Sequence, residues 1–233
     1  MTETTTPPAF VPQPARIPAD QLVSDVGIAE RAAEFRAAPL RGPYATLRVI
    51  QPEDYPFLRT LETSSEVATR WRLRGTTPGP EQWVQSLWNG VMVQFVVAET
   101  KTDKPIGLVA LYAPNFQEGH ARLGAGRFDL HSRNPVMIFG VAMFLEYVFH
   151  GWNLRKLYMD LPEYNYPQFS SGLGRFFDIE GRLREHTFAS GRYWDELTLA
   201  IYRDRWQSEG ARLLGTEASK FGAAADATAG GAA

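Results

Sequence analysis

Hydrophobic and polar positions along this chain alternate between the two-residue period of a strand and the longer period of a helix. Residues 45–50 alternate as a half-buried strand does, and Pro52 opens a helix because proline is favoured at the first helical position. The same patterns predict a helix at 81–88, strands at 93–100, 105–113 and 120–130, an apolar helix at 136–149, a strand at 156–162, a short helix at 167–176, and a hairpin of strands at 182–188 and 196–203. This order of elements predicts an α+β domain.

Both ends of the chain are predicted to lie outside this domain. Residues 1–19 are rich in Thr, Pro and Ala and cannot bury enough apolar surface to fold alone, whereas residues 20–38 have the apolar positions of an accessory helix. The last residues, 216–233, are mostly Ala and Gly. We therefore expect a flexible N-terminal extension at 1–44 with a short accessory helix, one domain at 45–208, and a largely disordered tail at 209–233.

The composition of the 233 residues narrows the classes of function. A hydrophobic content of 44% is typical of a globular protein, and a net charge of −2 argues against a nucleic-acid partner, which usually requires a basic excess. The absence of cysteine excludes a thiolate nucleophile and a cysteine-ligated zinc. No apolar run reaches the ~18 residues of a membrane span, and the N-terminus lacks the blocks of a signal peptide. We expect a cytoplasmic protein without a membrane partner.

The most informative motifs lie between Tyr147 and Trp206. The apolar helix ends Tyr147-Val148-Phe149, Asn165 follows the next strand, and Asp195 opens the last strand after the run Phe177-Asp178-Ile179-Glu180-Gly181-Arg182-Leu183-Arg184. These motifs resemble the C-terminal half of the GNAT acyltransferases, in particular the branch that includes the ribosomal-protein N-terminal acetyltransferases. The resemblance extends in element order over roughly residues 45–206. It implies the GNAT fold, a mixed and mostly antiparallel central sheet that is splayed in the middle and flanked by helices.

The resemblance also implies where an acyl donor binds. In this family the pantetheine arm of the donor fills the gap between the splayed strands, and a glycine-rich loop at the next helix holds the pyrophosphate of coenzyme A through backbone N–H groups. The implied donor-binding residues are Phe128, Leu130, Arg133, Asn134, Val136, Asn165 and Gln168. Asn165 serves equally well as a helix cap.

The sequence departs from the family in that phosphate loop. Arg133 and Pro135 stand where glycines are expected, and proline has no N–H to donate. Two donors therefore stay open. One is acyl-CoA, with the Arg133 side chain pairing a phosphate. The other is an acyl group on the phosphopantetheine of an acyl carrier protein, which has no adenosine to bind.

The proton-transfer groups are less clearly marked. The tyrosine that family members often use to protonate the leaving thiolate is replaced by Gly172, so Tyr164 or Tyr166 is the available substitute, unless the thiolate leaves unaided. Asp129 and His131 share a face near the end of the splayed strand and are candidates for the general base. His120, at the start of that strand, is a third candidate for the base.

The acceptor side is predicted from two segments. Trp71 and Arg72 lie between the first two helices, a region that lines the acceptor pocket in this family, within an alternating run of arginines. Those arginines suit a carboxylate-bearing acceptor, the acidic surface of a carrier protein, or a solvated loop around a buried Trp71. Gly124 and Ala125 replace a larger side chain in the splayed strand, which leaves room for a bulky acyl group or acceptor.

The sequence thus predicts an N-acyltransferase that moves an acyl group from a pantetheine thioester to an amine of a small molecule, in secondary metabolism. An ordinary acetyl-CoA-dependent enzyme acting on a small amine or a protein N-terminus is the first alternative, and a catalytically inactive binding module is the second. We expect a small-molecule amine and either acyl-CoA or an acyl carrier protein as partners. We expect no metal, and a monomer or homodimer.

Overall fold

The computed structural model describes residues 40–63, 73, 75–127, 136–168, 170–210 and 212. The strands are β1 (Leu40–Arg41), β2 (Ala45–Arg48), β3 (Val91–Glu99), β4 (Pro105–Asn115), β5 (His120–Arg127), β6 (Lys156–Pro162), β7 (Asp178–Ala189) and β8 (Arg192–Tyr202). The α-helices are α1 (Tyr55–Thr63), α2 (Pro80–Trp88), α3 (Val136–Gly151) and α4 (Arg203–Ser208). Nearly all of the predicted N-terminal extension and C-terminal tail lies outside the described residues.

All eight strands belong to one sheet, in the order β1-β2-β3-β4-β5-β6-β8-β7. The strands from β1 to β5 pair antiparallel, as do β6 with β8 and β7 with β8. Among the described strands, only β5 and β6 pair in parallel, because the chain crosses through α3 before it returns to the sheet. The predicted mixed, mostly antiparallel sheet flanked by helices is confirmed.

Two hydrophobic cores cover opposite faces of the sheet. The larger one joins α3 to side chains such as Val97, Val109, Leu123 and Leu157. The smaller one joins α1 and α2 to Val96 and Leu108, the next residues along the same strands. Since successive side chains of a strand point to opposite faces, this alternation places α3 on one face and α1 with α2 on the other.

One segment differs from the prediction. Residues 167–176 were expected to form a short helix, but the chain makes two 3-10 turns, Glu163–Gln168 and Ser170–Gly172. Gly174, within the predicted span, has a φ of 72°, which a right-handed helix cannot accommodate. The segment is therefore an irregular connection from β6 to β7.

Gly140 is a position where α3 lies very close to the sheet. A Cβ built there would lie 2.3 Å from Cγ1 of Val97, far inside van der Waals contact. Alanine is the better helix former by about 1 kcal/mol, but overpacking a core typically costs 1–3 kcal/mol. We expect Gly140→Ala to lower the free energy of unfolding by about 1 kcal/mol, measured by denaturant titration.

The matched control for this prediction is Gly151→Ala, at the other end of α3, where a Cβ would meet nothing within 4 Å. It should change stability by less than about 0.5 kcal/mol. Adding Val97→Ala to Gly140→Ala should cost less than the sum of the two single changes, because the residues are in contact. Equal losses at Gly140 and Gly151 would contradict this account of the packing.

Candidate functional site

The two parallel strands at the centre of the sheet separate after a short paired stretch. Their pairs are His120 with Lys156, Ala121 with Leu157, and Arg122 with Tyr158. Beyond Arg122 and Tyr158, both strands continue without pairing to each other in the described structure, although each stays paired to its other neighbour. We call the resulting gap the fork, bounded by residues 123–127 of β5 and 159–162 of β6.

The fork is closed at one end and open at the other. It closes at the Arg122–Tyr158 pair, and β5 leads from its open end toward the first residue of α3, Val136. Five residues of strand span about 16 Å at roughly 3.3 Å each, which suits an extended arm of pantetheine length. Because buried backbone N–H and C=O groups need partners, the facing strand edges are ready to pair with a ligand that carries amides.

The two faces of the fork differ in what covers them. Ala121, Leu123 and Ala125 of β5 join the core around α3, so that face is filled. Gly124 and Gly126 pair with Ala110 and Leu108 of β4 and project to the face that carries α1 and α2. Glycines thus border the fork on this face, beside the strands β3 and β4 against which α1 and α2 pack.

Charged side chains meet at the closed end. Arg122 of β5 forms an ion pair with Asp160 of β6, and the hydroxyl of Thr198 on β8 donates a hydrogen bond of 2.8 Å to the same carboxylate. The side chain of Asp160 is 18% exposed and that of Arg122 is 42% exposed. Arg122 lies two residues from Gly124 on β5 and therefore on the same face. Asp160 lies two residues from Tyr158, the partner of Arg122, so it shares that face, and the pair lies opposite α3.

A second polar cluster supports the base of the fork. The ammonium group of Lys156 donates to both carboxylate oxygens of Glu180, at 2.7 and 3.0 Å, and the Tyr202 hydroxyl donates to the same carboxylate. Lys156 also lies 4.6 Å from the centre of the Tyr158 ring, against which the His120 ring packs edge to face. Within the described residues, Nδ1 of His120 is buried and has no hydrogen-bond partner.

The hydrogen bonds in this cluster shift the pKa values of its two charged members. Burial alone lowers the pKa of Lys156, but the hydrogen bonds with Glu180 and Tyr158 outweigh it, and the pKa lies above its ordinary value. Burial alone raises the pKa of Glu180, but hydrogen bonds from Lys156 and then Tyr202 outweigh it, and the pKa lies below its ordinary value. Both groups are therefore charged at neutral pH.

The two pKa directions set the pH range of the cluster's contribution to stability. A lowered carboxyl pKa contributes stability above its unfolded value and loses it as pH falls; a raised lysine pKa contributes below its unfolded value and loses it as pH rises. We expect Glu180→Gln to lower the Tm by roughly 2–4 °C at pH 7, because Lys156 loses its partner.

That difference in Tm should shrink as the pH falls from 7 to about 3, since the stability that a lowered carboxyl pKa contributes is lost as pH falls below the unfolded value of about 4.3 toward the folded one. Glu209→Gln, on an exposed carboxylate 3.9 Å from Arg212, is the control and should shift the Tm little at either pH. A Glu180→Gln difference that stays constant down to pH 3 would contradict the pKa direction.

Some residues predicted from the sequence lie around the fork. Val136 is the buried first residue of α3, and Gly124 and Ala125 lie on opposite faces of β5. Tyr164 and Asn165 follow β6 in the first 3-10 turn, where the Tyr164 ring packs edge to face against Trp194, at 5.0 Å between centroids.

The other predicted positions lie outside the described residues and stay predictions. They are Trp71, Arg72, Phe128, Asp129, Leu130, His131, Arg133 and Asn134, together with the side chain of Gln168. Gly172, which replaces the family tyrosine, packs against Phe177: a Cβ there would lie 2.6 Å from a ring carbon. A tyrosine at this position would displace Phe177.

Arg122, Asp160 and Thr198 were not among the residues predicted from the sequence. One signal could have found them, because Asp160 is a charged residue in the middle of a strand, Lys156–Pro162, whose other members are mostly buried. A carboxylate at such a position needs a partner, and the parallel neighbour β5 offers Arg122.

The arrangement of the sheet and its flanking helices is the GNAT fold. No protein-family model and no curated protein sequence matches this chain. Solved structures do: a spermidine N-acetyltransferase from Vibrio cholerae in complex with CoA and spermine is 23% identical, with a TM-score of 0.61 over 70% of this chain and 98% of that chain. Its dodecameric form in an intermediate state has a TM-score of 0.57 at 23% identity, over 70% of this chain and 96% of that chain.

A further structure, the spermidine/spermine N-acetyltransferase SpeG from Vibrio cholerae in complex with manganese ions, has a TM-score of 0.56 and 23% identity, over 71% of this chain and 96% of that chain. At this identity the likeness establishes the fold. The resemblance to the ribosomal-protein branch remains a prediction.

Two features are absent from the described residues. No helix among them combines the length and the apolar character that crossing a bilayer requires. Nor do they contain a group of three or more His, Asp or Glu side chains arranged to hold a metal ion.

Proposed function

We propose that this protein is an N-acyltransferase that holds the pantetheine arm of acyl-CoA in the fork and transfers its acyl group, of which acetyl is the simplest, to an amine of a small molecule. The fork is the observation that supports the proposal, because among the described residues its two strand edges do not pair with each other, while α3 packs against one face. A protein of the same fold was solved with CoA and spermine, which supports a donor and an acceptor of these classes.

The fork orients the donor along β5. With its phosphates near the N-terminus of α3, the extended arm reaches the closed end, and its thioester lies close to Gly124. Arg133 and Asn134 are the proposed phosphate contacts, and the amide groups of the arm pair with strand edges in the manner of an added strand. The acceptor enters from the face of α1 and α2, because the other face is occupied by α3.

The chemistry requires a neutral amine and a stabilised oxyanion. The amine nitrogen attacks the thioester carbonyl, the C–N bond forms, the C–S bond breaks, and the amine proton is transferred to a base as the thiolate leaves. Asp129 and His131 remain the proposed bases, and Tyr164 the proposed proton donor to the thiolate. Trp71 and Arg72 remain the proposed acceptor contacts.

A carrier-delivered donor is the second candidate, and one observation favours it. Pro135 supplies no N–H at a position where the family binds pyrophosphate, so the loop is poorly suited to the part of the donor that only coenzyme A has. An acyl group on a carrier protein would use the same fork. This donor is the one that a role in secondary metabolism would favour.

Two experiments distinguish an acyl-CoA donor from a carrier-protein donor. The first is calorimetric titration of the full chain with CoA and with phosphopantetheine, and the second is an assay of amine-dependent thiol release from acetyl-CoA. The acceptor panel should contain spermine, monoamines and amino acids. We expect CoA to bind at least tenfold more tightly than phosphopantetheine, a difference of about 1.4 kcal/mol from the nucleotide, and thiol release with at least one amine. If CoA and phosphopantetheine bind equally weakly, and transfer occurs only from an acylated carrier protein, then the carrier protein and not acyl-CoA is the donor. Binding without any thiol release would indicate an inactive binding module.

A further inference from the structure

The closed end of the fork is joined by side chains as well as by backbone. The last backbone pair is Arg122 with Tyr158, and the Arg122 guanidinium reaches past it to Asp160, two residues further along β6. The ion pair therefore connects β5 to β6 at the first same-face position after their pairing ends. At this point the ion pair between Arg122 and Asp160 joins the two strands in place of the backbone hydrogen bonds that have ended.

Asp160 is itself fixed from the opposite side. It pairs with Thr198 of β8 in the sheet, and the Thr198 hydroxyl donates to one carboxylate oxygen while Arg122 pairs with the other. The carboxylate is mostly shielded from solvent, so salt screens the pair less than it would screen an exposed one. Asp160 thus gives Arg122 an anchor that does not move relative to β6 and β8.

The separation of two strands needs a feature that stops their pairing from extending or receding. A parallel ladder that gained or lost one residue would move the closed end by about 3.3 Å. Displacements of about 1 Å can already cost a factor of 10² in rate when reacting groups must be aligned. The depth of the fork is therefore a quantity that an acyltransferase must fix.

We propose that Arg122 and Asp160 form a latch that fixes where β5 and β6 separate, and so fixes how deeply the acyl thioester enters the fork. This inference rests on the proposed function. The two residues are positioning residues: they act through the strands that hold the donor. Because each oxygen of Asp160 already accepts a partner of its own, the carboxylate is occupied with holding Arg122 and Thr198.

The test compares Arg122→Gln, Asp160→Asn and the exchanged pair Arg122→Asp with Asp160→Arg. The readouts are CoA affinity by calorimetry, the separate KM values for acetyl-CoA and for the amine that the wild type uses, and the Tm. We expect each single variant to weaken CoA and raise the donor KM by about tenfold or more, with a smaller change in the acceptor KM. The exchanged pair should recover most of the loss, since it restores a charge pair across the same gap.

A matched control is the ion pair of Arg205 with Asp178, which has a distance of 2.7 Å and joins α4 to β7 away from the fork. Arg205→Gln and Asp178→Asn should leave CoA affinity unchanged within about threefold. The latch would be overturned if the exchanged pair bound CoA no more tightly than the single variants. A rise in the acceptor KM alone, or an equal loss of CoA affinity in the control variants, would also overturn it. If the wild type itself fails to bind CoA, the proposed function fails; if it binds and the latch variants match it, only the latch fails.

Discussion

Replacing Gly124 with tryptophan is expected to lower kcat/KM for the acceptor by about 100-fold or more, while CoA binding changes by less than about threefold. Gly124 lies two residues beyond the closed end of the fork, on the face that carries α1 and α2. On that face Ala110 lies opposite it on β4, and along β5 it lies between Gly126 and Arg122. An indole side chain would occupy the place where the proposed function brings the amine to the thioester.

Three measurements separate this effect from misfolding. Gly124→Ala should give a smaller loss, because it adds one carbon to the same space. Gly151→Trp, where a Cβ would meet nothing within 4 Å, should leave activity unchanged and controls for the addition of a large side chain. Calorimetry with CoA reports whether the fork is intact in Gly124→Trp. If kcat/KM for the acceptor were unaffected, the amine would have to approach from another side.

Replacing Arg203 with methionine is expected to destabilise the domain by about 3–5 kcal/mol, which is the largest loss of stability that we predict for any substitution. Its guanidinium donates to the carbonyl oxygens of Leu154, Trp152 and Phe149, at 2.7, 2.5 and 2.5 Å. The last turn of a helix leaves its carbonyl groups without partners, and Arg203 supplies one to Phe149 in the last turn of α3 while it also binds Trp152 and Leu154 in the residues that follow the helix. Methionine keeps the apolar stem and removes every donor.

Denaturant unfolding measures this loss directly. Arg203→Lys should recover only part of the stability. A planar guanidinium can donate to three carbonyl groups at once, whereas one ammonium group cannot reach all three. Arg212→Met, on an exposed arginine 3.9 Å from Glu209, is the control and should stay within about 0.5 kcal/mol of the wild type. A loss below about 1 kcal/mol for Arg203→Met would show that water satisfies the carbonyls instead.

The regular elements could be predicted because their periodic patterns are strong. The helix predicted at 136–149 is α3 (Val136–Gly151), and the strand predicted at 156–162 has those bounds. The short helix predicted at 167–176 was wrong, because Gly174 has a positive φ that a right-handed helix cannot accommodate and the chain makes 3-10 turns instead. The Leu40–Arg41 strand was missed because two residues are too few to show an alternating pattern. Turn geometry and edge pairing depend on neighbours that a local pattern does not contain.

The site was predicted less completely than the fold. The separation of β5 from β6 follows from the resemblance, and the structure shows it at Arg122 and Tyr158. The pairing of Arg122 with Asp160 depends on the register of two strands that lie more than thirty residues apart in the sequence, which no local motif encodes. The proposed base residues Asp129 and His131 belong to the segment between β5 and α3, outside the described residues.

The most direct test of the fork is amide hydrogen exchange of the full chain with and without saturating CoA. The account predicts slower exchange in residues 123–127 of β5 and 159–162 of β6, because the arm of the donor pairs with their free edges. Residues 120–122 and 156–158 should change little, since they already pair with each other. Slowing confined to other parts of the chain, or no slowing at a saturating CoA concentration, would contradict the claim that the fork is the donor site.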